Sequence, residues 1–106
     1  RVLEVTFDDG AKFALPCEYL RVHSPSAEVQ GHSPDQRVLQ VGKEDVNIER
    51  IEPVGNYAVL LHFDDGHHTG IYSWETLYLL GKNYAELWAQ YLQDLEAAGH
   101  KRKQPS

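Results

Sequence analysis

The chain has 106 residues, 42% hydrophobic and 25% charged, which suits one domain with a single core. Its formal net charge is −6, and with Lys101, Arg102 and Lys103 all at the end the rest carries about −9 by subtraction. That balance repels phosphate backbones and argues against nucleic acid as a partner. No apolar run approaches the ~20 residues of a membrane span, so no membrane association is expected. The lone Cys17 excludes an intramolecular disulfide and a multi-cysteine metal site built by this chain alone, and a reducing, cytoplasmic setting fits it best.

Leu3 to Phe7 alternates apolar and polar residues, the period of a half-buried strand. Asp8-Asp9-Gly10 supplies turn chemistry, and KFAL, residues 12–15, follows as the second strand of a hairpin. Pro16 suits the first position of a short helix over Cys17 to Arg21, where a missing N–H costs nothing. Residues 23–36, HSPSAEVQGHSPDQ, have no apolar period and carry two Ser-Pro pairs. They read as a long surface loop, and loops of that length are more often functional or mobile than incidental. RVLQV (37–41) and VNIERIEPV (46–54) read as strands, with Pro53 pointing to an edge position or a bulge. Gly55-Asn56 turns the chain into YAVLLHF, the most apolar strand and the expected centre of a sheet, and Asp64-Asp65-Gly66 turns it again into HHTGIYS.

Two helices close the chain. Ser73 is the expected N-cap of WETLYLL, with Glu75 in the favourable first turn and Gly81 as the C-terminal stop. Asn83 and Glu86 have the spacing of a capping box for the second helix. There Tyr84, Leu87, Trp88, Tyr91, Leu92 and Leu95 form one apolar face that should pack on the sheet. The expectation is a single domain over residues 1–99 and a solvated basic tail over 100–106. Its fold class is α+β: antiparallel β-hairpins forming a small sheet or sandwich with the C-terminal helix packed on it. FDDGAKFALPCEYL and FDDGHHTGIYSWETLYLL both run strand, turn, strand, helix. Either a hairpin–helix unit is repeated or Asp-Gly is simply used twice in hairpins.

FDDGHH, residues 63–68, gathers Asp64, Asp65, His67 and His68, all good metal ligands. On a strand, however, the two histidines point to opposite faces, and the aspartates are wanted by the turn, as Asp8 and Asp9 show without histidines nearby. A hairpin turn is the favoured reading. A site gathered from afar, with His23, His32 and His67 meeting over the second hairpin, is the alternative. Cys17 lies at a helix start, where the macrodipole can favour a thiolate, but Pro16, Tyr19 and Leu20 around it favour a packed cysteine. No G-x-S-x-G, glycine-rich phosphate loop or H-E-x-x-H occurs, so neither an enzyme nor a cofactor is expected.

LRVHSPSAEVQGH, together with VGNYAVLLHFDDGHHTGIYSWETLYLLG, resembles the gamma-butyrobetaine hydroxylase-like N-terminal domain, also called domain of unknown function 971. The likeness runs from about Leu3 to Arg102 and rests on the combination of YAV, FDDGH, GIYSW and the leucine-rich helix. Such domains stand alone in bacteria, precede the catalytic domain of carnitine-pathway dioxygenases, and occur fused to P-loop carriers of iron–sulfur clusters. In the hydroxylases the domain holds a structural zinc through a pattern like L-R-D-x-C-P-C-x-x-C and the histidine of D-G-H. Laid on this sequence, the cysteine positions fall on Ser24, Ser26 and Val29, and the histidine on His67. Hydroxyls and a valine cannot replace thiolates, so the resemblance implies that the zinc site is missing and His67 survives from it. His67 is then expected to hold the 23–36 loop by hydrogen bonds where relatives use zinc. The dioxygenase chemistry belongs to a separate domain and does not transfer.

The function expected is a non-catalytic accessory or protein-interaction domain with an unidentified protein partner, a homodimer also being open to it through the Pro53 edge strand. Candidate contacts are Ser24, Ser26, Glu28, His32, His67 and Tyr72, with whichever of Tyr57, Tyr72, Trp74 and Tyr78 are exposed. Trp74 and Trp88 are expected in the core. The alternative is an accessory role in metal or iron–sulfur cluster handling through a histidine-based site.

Overall fold

The computed structural model describes residues 1–31 and 36–102. Strands β1 (Val2–Thr6) and β2 (Lys12–Pro16) form an antiparallel hairpin in the register Val2↔Pro16 to Thr6↔Lys12. Gly10 takes φ 89° at the turn, and the Ala11 N–H donates to Asp9 Oδ1 at 2.9 Å. Helix α1 (Cys17–Val22) follows directly, with Pro16 as its cap residue and not its first turn. Inside the expected loop lies a short helix, α2 (Ala27–Gln30), whose N-cap Ser26 accepts from the Glu28 N–H at 3.2 Å.

Residues 37–41 form no strand. Their V-L-V alternation has the right period, but a strand also needs a partner edge, and Leu39 instead packs against Val22, Tyr91 and Leu95. Strands β3 (Ile48–Val54), β4 (Ala58–Phe63) and β5 (Gly70–Ser73) make a second antiparallel sheet in the order β3-β4-β5. The apolar β4 is central, and Pro53 sits on edge strand β3, which also carries an irregularity between Ile48 and Arg50. Helix α3 (Trp74–Lys82) starts at Ser73, whose hydroxyl accepts from the Thr76 N–H at 3.0 Å. It runs through Gly81 instead of stopping there. A Cβ at Gly81 would lie 2.4 Å from Phe13 Cγ, so this glycine admits an aromatic ring and does not end a helix. Asn83 joins α3 to α4 (Tyr84–Ala97) without any side-chain cap bond, so the capping box does not form.

The core is built from Leu15, Tyr19, Leu20, Leu61, Phe63, Tyr72 and Leu77. The apolar face of α4 reaches it through α1: Tyr84 meets Tyr19 edge-on at 4.8 Å, and Tyr91 and Leu95 pack on Val22. Phe7, Phe13 and Tyr78 form an edge-to-face cluster, and the Tyr78 hydroxyl donates to Asp9 Oδ2 at 2.7 Å, tying α3 to the first turn. Trp74 is 42% exposed instead of buried, with its indole N–H donating to the Asn56 carbonyl at 3.0 Å. The basic end is not wholly solvated either, since Arg102 donates to both Glu18 oxygens at 2.9 and 2.5 Å and lies over the Trp88 ring. Among the described residues no helix is long and apolar enough to cross a membrane.

Candidate functional site

The turn after β4 places His67 in the interior. Gly66 takes φ 90°, the Gly66 N–H donates to the Phe63 carbonyl, and the His67 N–H donates to Asp65 Oδ1 at 3.1 Å. The two aspartates do more than turn the chain. Asp64 Oδ1 accepts from the Asn47 N–H at 3.0 Å, while Asp65 Oδ2 takes Arg21 Nε at 2.9 Å and Lys43 Nζ at 2.8 Å. Burial alone would raise the Asp65 pKa, but Lys43, the His67 N–H and Arg21 together hold it at about 2. Arg21 is itself buried, and its Nη1 has no partner, so Asp65 is its main compensation.

Because β5 begins at Gly70 and not at His67, the two histidines leave the turn before strand alternation sets in. His67 is 5% exposed, whereas His68 lies outside and its Nδ1 donates to the Gly66 carbonyl at 2.8 Å. The His67 ring bridges two groups of the 23–31 segment: Nε2 lies 2.8 Å from Ser24 Oγ and Nδ1 lies 3.1 Å from Glu28 Oε2. A carboxylate only accepts, so Nδ1 carries the proton to Glu28 and Nε2 accepts from the Ser24 hydroxyl. Burial first, then the Arg21 charge, lowers the His67 pKa against the pull of Glu28, so the ring is neutral at neutral pH. Ser24 Oγ also accepts from the Ser26 N–H at 3.3 Å, and Ser26 Oγ bonds Thr69 Oγ1 at 2.7 Å. Gln30 closes the loop with a 2.8 Å bond to the Ser24 carbonyl. The expected hydrogen-bonded hold of His67 on this loop is what the geometry contains.

Gly70 makes that closeness available. A Cβ there would stand 2.5 Å from Ser24 Oγ and 3.1 Å from Tyr72 Cε1. Sequence reading missed Gly70, Arg21, Lys43 and Thr69; the only available signal was the glycine inside GIYSW, which is unusual within a strand.

Of the candidate contacts among the described residues, Ser24, Ser26, His67 and Tyr72 are buried, while Glu28, Tyr57 and Trp74 are exposed. Tyr72 in particular is a core residue, its hydroxyl donating to the Leu20 carbonyl at 2.6 Å. His32 lies outside the described residues. His23 is turned elsewhere: its Nδ1 bonds the Tyr19 carbonyl at 3.1 Å and its ring faces Tyr91. Among the described residues no three His, Cys, Asp or Glu side chains are placed to hold a metal. Cys17 is 2% exposed, and burial raises its pKa, the opposite of an activated thiol.

Ser24, His67 and Glu28 follow the order hydroxyl, imidazole, carboxylate of a hydrolytic triad. A nucleophile must meet its substrate, however, and Ser24 has no exposed surface. Clefts open beside α4, beside β1 and β3, and at the C-terminal end, and none of these is lined by the three residues. Chemically, the arrangement is a clamp that fixes the 23–31 segment on the β4–β5 turn.

Three solved structures share the architecture. Two NMR solution structures are 57% and 46% identical to the chain, with TM-scores of 0.82 and 0.81. They match over 96% and 99% of this chain and 76% and 82% of theirs. A crystal structure from Acidithiobacillus ferrooxidans, described as a protein with unknown function of the DUF971 family, is 44% identical. That match covers 76% of this chain and 80% of the other, with a TM-score of 0.63. Comparison with curated proteins returns no match. The family model for the gamma-butyrobetaine hydroxylase-like N-terminal domain matches residues 1–78, and with His67 and the Ser24 and Ser26 positions joined in one buried cluster, the chain belongs to that family.

Proposed function

We propose that the chain is a non-catalytic interaction domain of the cytoplasm that docks on another protein through the outer face of its three-stranded sheet. The observation that supports this reading is a division of labour over the surface. Side chains equipped for chemistry, Cys17, Ser24 and His67, are buried and bonded, while Tyr57, Ile71 and Trp74 stand 59%, 46% and 42% exposed. Ile71 pairs with Leu60 on the outer face, and Trp74 bonds back to the β3–β4 turn that carries Tyr57, so Trp74 and Tyr57 gather at the end of the sheet nearest that turn. Aromatic and β-branched residues of this kind supply the anchors of protein interfaces. A second reading, metal or iron–sulfur cluster handling, would need at least three donors gathered at His67, and among the described residues no such group forms, Glu28 being the one carboxylate that reaches its ring.

The free edge of β3 favours a different protein over a second copy paired strand to strand. Pro53 lacks an N–H, Glu49 and Arg50 are charged, and the strand is irregular at its start, which are the features that block edge pairing. The test is affinity capture with the full chain and with Ile71→Glu, followed by reconstitution with the captured protein in pure form. A pure complex that forms with the parent and weakens at least ~10-fold with Ile71→Glu supports the docking face. A complex indifferent to Ile71→Glu and Trp74→Ala overturns it.

A further inference from the structure

The cleft beside α4 is separate from both the clamp and the proposed docking face. It encloses about 160 Å³ between the end of α1, the irregular segment 36–41 and one side of α4. That is close to the ~150 Å³ cavity known to hold a benzene-sized guest. Its walls are held in place: Leu39 packs on Val22, Tyr91 and Leu95, and the Tyr91 hydroxyl donates to the Gln40 carbonyl at 2.8 Å.

Three polar groups of its lining, His23, Arg37 and Asp94, have unused capacity. His23 Nδ1 donates to the Tyr19 carbonyl, which leaves Nε2 as an acceptor with no partner among the described residues. Asp94 Oδ1 accepts from the Gln90 amide at 2.9 Å, and its other oxygen has no partner among the described residues. Arg37 makes no hydrogen bond or ion pair among the described residues. Burial, and then the Arg37 charge, keep His23 neutral against the influence of Asp94, so the ring offers a lone pair.

Among the described residues the cleft offers one anion, one cation and one neutral imidazole acceptor beside two glutamine amides and an aliphatic wall, and such a lining has a complementary ligand class. A neutral apolar guest would strip water from three polar groups without replacing it. A phosphorylated metabolite would bring more negative charge than the single Arg37 balances and more bulk than the volume admits. We infer that the cleft binds a small zwitterion, a free aliphatic α-amino acid. Its ammonium sits between Asp94 and His23 Nε2, its carboxylate on the Arg37 guanidinium, and its short side chain on Leu39 and Leu87. Arg37 offers the planar fork that a carboxylate matches, and a primary ammonium has N–H donors for both acceptors.

The test is titration of the full chain with L-alanine, L-valine and L-leucine, followed by amide and methyl NMR shifts. Isobutylamine and isobutyrate serve as controls carrying one charge each. Saturable shifts at His23, Leu39 and Leu87 with at least one amino acid, and at least ~10-fold weaker binding of both controls, support the proposal. Arg37→Gln and Asp94→Asn change exposed side chains and should leave the spectrum folded, and each should weaken binding ~10-fold. No saturable shift with any of the three amino acids up to ~50 mM, far weaker than useful small-ligand affinities, overturns it. So does binding that persists unchanged in both variants, or that either control reproduces.

Discussion

Gly70→Ala should unfold the clamp from within. The new Cβ would lie 2.5 Å from Ser24 Oγ, a distance that real Cβ atoms do not tolerate. Ser24 cannot yield at no cost, because it has no exposed surface and its hydroxyl is bonded to His67 Nε2 at 2.8 Å. Overpacking of this kind costs about 1–3 kcal/mol. Pushing the hydroxyl away also leaves a buried imidazole acceptor unmet, another ~1–3 kcal/mol. The sum is about 4 kcal/mol, or a melting temperature lower by roughly 20 °C for a domain of this size. Thermal and urea unfolding followed by circular dichroism would read it. Ser24→Ala removes the clashing oxygen but also orphans His67, so alone it should cost about 2 kcal/mol. Both substitutions destroy the same bond and the Ser24 change also removes the clashing oxygen, so the double variant should cost about 2 kcal/mol, not the ~6 of strict addition. Additive losses, or a Gly70→Ala cost under about 0.5 kcal/mol, would refute the assignment of Gly70 to the clamp.

His67 and His23 both have folded pKa values lowered by burial below 6.5, so the unfolded chain binds protons more readily. Their contribution is intact above pH 6.5 and is lost as pH falls toward the folded values. Urea midpoints should therefore drop between pH 7.5 and 5, and His67→Gln, which leaves Glu28, Asp65 and Arg21 in place around it, should flatten part of that slope. Asp65 acts in a lower window: its pKa of about 2 against 3.8 gives stability that is whole above pH 4 and lost as pH falls through about 2. Asp65→Asn should cost about 3 kcal/mol at neutral pH by leaving the buried Arg21 without its carboxylate, with Arg21→Leu in the same background recovering part of it. The combined Ser24→Cys, Ser26→Cys and Val29→Cys variant should take up about one equivalent of zinc by elemental mass spectrometry, and His67→Ala in that variant should release it. A triple-cysteine chain that binds no zinc would show that the three positions no longer converge on His67.

The elements that were legible in the sequence are those set by local chemistry. Asp-Gly turns, the Ser73 cap, the apolar run of β4 and the proline of an edge strand each carry their cause within a few residues. The bond between His67 and the loop is legible for another reason: the resemblance alone places Ser24 and His67 in one site. Long-range causes were not legible. RVLQV has a strand's period, yet its Leu39 packs on Val22, Tyr91 and Leu95 and the segment joins neither sheet. Gly81 looks like any other glycine in sequence and Gly70 is marked only by its place in a strand, because close approach by a distant ring or hydroxyl leaves no trace that names its partner. Tyr72 and Trp74 illustrate the same limit in opposite directions: two residues apart, one is wholly buried and the other stands outside, a difference set by the end of β5 and the start of α3.

A clamp of hydroxyl, neutral imidazole and carboxylate can stand where thiolates and a metal would, provided every buried polar atom is met. Here the dry end is Ser24, met by His67 and the Ser26 N–H, while Glu28 stays largely in water and needs only one bond to fix the tautomer. Each member depends on the next. Glu28 orients the ring, the ring receives the Ser24 proton, and Gly70 leaves the space in which the two meet. Such a chain fixes a loop without a free ligand position and without an exposed nucleophile. A residue set used up in this way has nothing left to offer a substrate, and for that reason the search for partners belongs on the outer sheet face and in the cleft beside α4.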